Sequence, residues 1–187
     1  MKLRDLICFV TMLLPIATEA ESLDPRQIVD RFVIAHETLK FSDVSSYIHS
    51  QTLKSYRTVT SAVIKHAVDR YGVEPIVAFL QGTTLDELQS FSDQEYWAFV
   101  MASSLQFNIE KPVKTAVPEA EFMESGRRFL VYPAAGTLIT APEIGFFPTH
   151  PVYGFEQEQG VWKMTTFMPG LFEATLYEFL RKKVVLK

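Results

Sequence analysis

The apolar pattern divides the chain into a helical front and a strand-forming back. In "LDPRQIVDRFVIAHETLKF", Ile28, Val29, Phe32, Val33, His36 and Leu39 recur at helical spacing on one face. Asp24 stands where an N-cap belongs, and Pro25 suits a first turn. "SDVSSYIHS" predicts a short second helix started by Ser42 or Asp43. From Thr52 to Tyr71 the apolar residues Leu53, Tyr56, Val59, Val63, Ile64, Ala67, Val68 and Tyr71 form one stripe. Gly72 is placed for a left-handed C-terminal cap, and a brief helix over 75–81 stops at Gly82. Two capping boxes follow, Thr84 with Glu87 and Ser92 with Glu95. The second opens "SDQEYWAFVMASSLQF", where Tyr96, Trp97, Val100, Met101 and Ser104 share a face.

The back half changes period. "KTAVPEAEFM" and "RRFLVYP" flank "ESGR" and predict a hairpin that turns at Gly126. Pro118 marks the first of these as an edge strand or a bulged one. Between Pro133 and Pro151, "AAGTLITAPEIGFFPTH" carries a single charge, Glu143, and predicts a short strand at "TLIT" or a loop over an opening. "VYGFEQEQ" and "VWKMTTF" pair around Gly160. A last helix puts Leu171, Phe172, Thr175, Leu176, Phe179 and Leu180 on one face. Helices first and antiparallel strands last make an α+β layer fold with one sheet face covered by helices. In it Trp162, just past its turn, closes one end of the sheet–helix core, and Gly154 lets a bent sheet pass close to its neighbour.

The N-terminus changes the domain count. Lys2 and Arg4 precede the apolar run "LICFVTMLLPIA", and "ATEA" ends at Ala20, the order of charge, apolar stretch and small residues found in a secretory signal peptide. Cleavage near Ala20 leaves 21–187 as a single exported domain, secreted or, from a bacterial source, periplasmic. The run is interrupted by Pro15 and falls short of the roughly 20 residues of a span, so no stable membrane anchor is expected after cleavage. Cleavage also removes Cys8, the only cysteine, leaving no disulfide and no thiol nucleophile. The net charge of −4, with no basic face, argues against nucleic acid as a partner. "RKK" at 181–183 reads as a solvated helix end.

Four stretches together resemble the NTF2-like superfamily (cystatin-like α+β roll), including its SnoaL-like proteins. They are "QIVDRFVIAHETL", "FSDVSSYI", "SDQEYWAFV" and the terminal "FEQEQGVWKMTTF", which is similar to the Gly-x-Trp-x hairpin that ends many members. The resemblance implies N-terminal helices packed on a cone-like, curved antiparallel sheet around a pocket. The superfamily spans isomerases, dehydratases, cyclases and non-catalytic binding proteins, so fold alone leaves function open. The helical stretch 52–90 and the C-terminal helix depart from the family pattern.

Among candidate chemical groups, His36 is the best catalytic one. On the apolar stripe of the first helix it points toward the sheet, as a general acid or base or as a hydrogen-bonded core histidine. "HETLK" begins like a zinc-protease helix, but Lys40 stands where the second histidine belongs. His49 and His66 lack a third ligand, so neither metal nor cofactor is expected. His150 either lines the pocket mouth with Tyr132 or is an exposed loop histidine. Fifteen Phe and seven Tyr are enough to line an apolar pocket. Its expected lining is Tyr96, Trp97, Tyr132, His150, Tyr153 and Trp162. Three readings follow: a non-catalytic module for a small apolar ligand or a protein, an isomerase- or dehydratase-like enzyme using His36, and an interaction module, such as a homodimer, built on the outer sheet face and terminal helix.

Overall fold

In a computed structural model, which describes residues 23–106, 117–132, 152–166 and 169–185, Asp24 opens helix α1 (Pro25–Thr38) with a capping box. Its Oδ1 accepts from the Arg26 amide at 3.0 Å, and the Gln27 side chain accepts from the Asp24 amide at 2.9 Å. Two orphan donors of the first turn are thus satisfied. Leu39 ends the helix in the left-handed region, at φ 57°. The expected second helix is two 3₁₀ turns instead, Phe41–Asp43 and Ser45–Tyr47. Val44 between them takes φ −121°, and the Ser45 hydroxyl donates to the Ser42 carbonyl at 3.1 Å, a local bond that competes with a continuous helix.

Helix α2 (Ser50–Tyr71) begins earlier than its apolar stripe, because His49 acts as N-cap and its Nδ1 accepts from the Gln51 amide at 3.2 Å. Gly72 has the expected positive φ of 82°, but ψ of 172° takes it out of the left-handed helical region. It leads directly into α3 (Val73–Phe79). Helices α4 (Leu85–Ser90) and α5 (Asp93–Leu105) start at the two boxes read from the sequence. Helix α6 (Pro169–Val185) ends the described chain.

Strands β1 (Ala120–Glu124), β2 (Arg127–Val131), β3 (Val152–Glu158) and β4 (Val161–Met164) form one antiparallel sheet in chain order. Both hairpins turn on two residues with positive φ, Ser125-Gly126 at 51° and 80° and Gln159-Gly160 at 54° and 81°. This is the I′ geometry whose twist matches the flanking strands. Strand β1 lies at the edge, in keeping with Pro118 before it. At the other edge Ile48 bridges Met164 in parallel, and the His49 amide donates to the Met164 carbonyl at 3.0 Å. Gly154 is a close approach: a Cβ there would stand 3.0 Å from Thr165 Oγ1 and 3.2 Å from Phe129 Cε1.

The register sets Leu130, Phe155 and Met164, all fully buried, on one sheet face with Tyr153 and Trp162. Helix α1 covers that face, the Phe32 ring meeting Tyr153 at 6.1 Å. Helix α5 packs between the 3₁₀ turns on one side and α2 and α6 on the other. Behind it, Phe79 of α3 meets Phe172 and Phe179 of α6 at 5.9 and 5.4 Å, and Tyr71 of α2 meets Tyr177 at 6.4 Å. Helices α2, α3 and α6 therefore pack on one another as a second layer.

Ionic contacts tie the start of α1 to the sheet. Arg128 donates to Asp24 at 2.9 Å and to Glu121 at 2.6 Å, Glu121 also receives Arg26 at 3.0 Å, and the Arg128 guanidinium lies 5.9 Å from the Trp162 ring. Trp162 is half-buried at this end of the core, so Trp162→Ala should cost about 2 kcal/mol in chemical denaturation, less than deletion of a fully buried ring. The Arg128 hydrogen bond, then that of Arg26, holds the Glu121 carboxyl below the usual range. For Asp24, burial raises the pKa, but the Arg26 amide and Arg128 outweigh it and the net shift is downward. Depressed carboxylates stabilise the fold above their unfolded pKa of about 4, and that contribution is lost as pH falls through the folded values. The thermal midpoint should drop below about pH 4, and Arg128→Ala should lose roughly 1–2 kcal/mol at neutral pH and flatten the drop. An unchanged acid limb in that variant would assign the acid sensitivity elsewhere.

Candidate functional site

One aromatic cluster joins α1, the first 3₁₀ turn, α5 and the sheet. Phe32 and His36 stand one helical turn apart on α1, so their side chains share a face. The turn at Leu39 reverses the chain, its amide donating to the Ala35 carbonyl, and brings buried Phe41 back against both. Phe41 lies 6.0 Å from Phe32 and 6.3 Å from His36, both edge-on. The box at Ser92 fixes the phase of α5 and places Trp97 5.7 Å from Phe41 and 6.4 Å from Phe32. On the sheet, Tyr153 meets Phe32, and Tyr132 meets Tyr153 edge-on at 5.6 Å. T-shaped contacts at these distances are favourable beyond the area they bury.

Of the seven candidates read from the sequence, four meet here: His36, Trp97, Tyr132 and Tyr153. Tyr96 does not join them. It faces α2, its hydroxyl 3.0 Å from both Thr60 Oγ1 and Ser61 Oγ, with Arg57 4.9 Å over its ring. The shared face expected for Tyr96 and Trp97 is split because α5 is buried on both sides. Trp162 sits beside Arg128, apart from the cluster. His150 lies outside the described residues, as do the expected strand at "TLIT" and the expected cleavage near Ala20. Sequence reading missed Phe41 as the hub. The signal was present, since it lies five residues beyond His36 and just past the expected helix end.

The polar atoms of the cluster are held neutral. His36 Nδ1 is buried and has no hydrogen-bond partner among the described residues. Burial lowers the His36 pKa, opposed only by the neighbouring Glu37 carboxylate. Burial raises the Tyr132 phenol to about 12, helped by Asp30, and burial also raises that of Tyr153. At neutral pH the cluster offers an uncharged imidazole and protonated phenols, groups suited to hydrogen bonding with an uncharged partner. A histidine with a lowered folded pKa stabilises the fold above its unfolded value of about 6.5, and that stability is lost as pH falls toward the folded value. His36→Gln should therefore remove a loss of stability seen between about pH 7 and pH 5 in thermal unfolding. If the two proteins lose stability in parallel, His36 is not the titrating group.

His49 caps α2, and His66 is exposed on the same helix. Among the described residues no three His, Cys, Asp or Glu side chains converge as a metal site, and no helix is long and apolar enough to cross a membrane. The chain matches no protein-family model, no curated protein and no solved structure.

Proposed function

We propose that this chain is an exported binding protein of the NTF2-like type, taking a small, uncharged apolar ligand against the cluster of His36, Phe32, Phe41, Trp97, Tyr132 and Tyr153. The observation that carries the reading is the buried Nδ1 of His36, without a partner among the described residues, at the margin of an aromatic cluster. A buried polar atom without a partner costs free energy, so such atoms call for a purpose. The sheet face that holds Tyr132 and Tyr153 is the face the NTF2-like cone would turn inward. A binding role is favoured over catalysis because, among the described residues, no third group hydrogen-bonds to His36 Nδ1 to orient the imidazole as a base.

The test is a titration of the full chain, carrying Trp162→Phe so that Trp97 is the sole tryptophan, with the neutral probe N-phenyl-1-naphthylamine. Saturable energy transfer from Trp97 to the probe, weakened by Phe41→Leu, is the expected result. No saturable transfer, or transfer that ignores Phe41→Leu, contradicts the reading.

A further inference from the structure

The two edges of the sheet differ. Beyond β4 the backbone at Ile48 and His49 continues the pairing, but among the described residues nothing pairs with the outer edge of β1. A two-residue turn makes Glu124–Arg127 the first hydrogen-bonded pair of the β1–β2 hairpin. Pairing then alternates, so the N–H and C=O groups of Glu121 and Met123 face away from β2. The same short strand exposes large apolar side chains, Phe122 at 45% and Met123 at 60%. Unpaired backbone groups beside exposed apolar residues are what an added strand covers.

We propose that β1 is a homodimer interface, paired antiparallel with β1 of a second copy about a two-fold axis at Phe122. The register is self-complementary. It sets Phe122 opposite Phe122 of the second copy, Glu121 opposite Met123, and Ala120 opposite Glu124. No two carboxylates oppose one another. Glu121 is already neutralised by Arg26 and Arg128, and Glu124 faces only an alanine. The four outward-facing groups of Glu121 and Met123 bond to their symmetry mates, making two hydrogen-bonded pairs around one non-hydrogen-bonded pair at Phe122. Phe122 already stacks on Phe129, with centroids 5.0 Å apart and planes at 17°, so the dimer extends this pair into a four-ring ladder across a continuous eight-strand sheet. The occupant that suits this edge is a second copy of this chain, because its register opposes Glu121, already paired to two arginines, to Met123 and opposes Glu124 to an alanine, with no like charges facing. The inference stands apart from the ligand reading, since it uses the sheet edge and the face turned away from α1.

Sedimentation equilibrium of the full chain should show a reversible dimer. Met123→Pro removes an N–H that faces the partner and leaves the β2 pairing intact, so the dissociation constant should rise about tenfold or more while circular dichroism is unchanged. In a Cys8→Ser background, Phe122→Cys should oxidise to a covalent dimer, because facing residues of a non-hydrogen-bonded pair have Cα atoms about 4.5 Å apart. Glu124→Cys, displaced along both strands, should not. If Met123→Pro does not fold, the cysteine pair decides alone. A chain that stays monomeric, a dimer that Met123→Pro leaves intact, or cross-linking equal at both cysteines would overturn the proposal.

Discussion

Trp97→Ala is expected to cost about 3–5 kcal/mol of folding stability, the range for deleting a large buried aromatic side chain. Trp97 is only 5% exposed and touches both Phe41 and Phe32, so its removal opens a cavity where α1, α5 and the first 3₁₀ turn meet. None of these elements closes the gap easily, because α1 and α5 are each fixed by a capping box and all three have a second packing surface. Urea denaturation should show a lower midpoint at an unchanged slope, the sign of lost stability without a changed denatured state. A loss below about 1 kcal/mol would mean that the cluster is loosely packed and the ring replaceable. The neutral naphthylamine probe should then raise the variant's midpoint if the vacated volume joins the ligand site.

Arg57→Ala is expected to cost roughly 2–4 kcal/mol, from the opposite side of the helical layer. One guanidinium donates to the Gln89 carbonyl at 2.7 Å, to the Phe91 carbonyl at 2.7 Å and to Asp93 at 3.0 Å, and lies over the Tyr96 ring. It therefore satisfies carbonyls at the end of α4, which a helix end leaves unpaired, and fastens α4 and α5 to α2. Removing it strands those carbonyls and the Asp93 carboxylate in a half-buried place. Arg57→Lys should recover only part of the loss, since an ammonium lacks the planar fork that reaches three acceptors. Full recovery by lysine would show that charge alone holds the junction.

Elements whose signal is local were legible in the sequence. The boxes at Thr84 and Ser92 set the starts of α4 and α5, and the glycines at 126 and 160 set both hairpins, because caps and turns depend on a few adjacent residues. Pro118 likewise marked β1 as an edge or a bulged strand, and β1 lies at the sheet edge. The second helix failed where local and helical hydrogen bonds compete, at Ser42, Val44 and Ser45. The start of α2 was missed because histidine caps only through a neutral, correctly turned Nδ1. Which side of α5 meets which neighbour is a tertiary fact, and periodicity placed Tyr96 and Trp97 together where packing separates them. The roles of Arg57 and Arg128 depend on partners far along the chain, and no short-range pattern announces them.

In the proposed binding role, His36 and Trp97 face a bound ligand. Nuclear magnetic resonance of the imidazole and indole nitrogens of the full chain, titrated with N-phenyl-1-naphthylamine, tests it most directly. The His36 nitrogens and the Trp97 indole should shift together and saturate at one stoichiometry, while exposed His66 stays still. Saturable shifts confined to Trp162 or His66, with His36 and Trp97 unmoved, would contradict it.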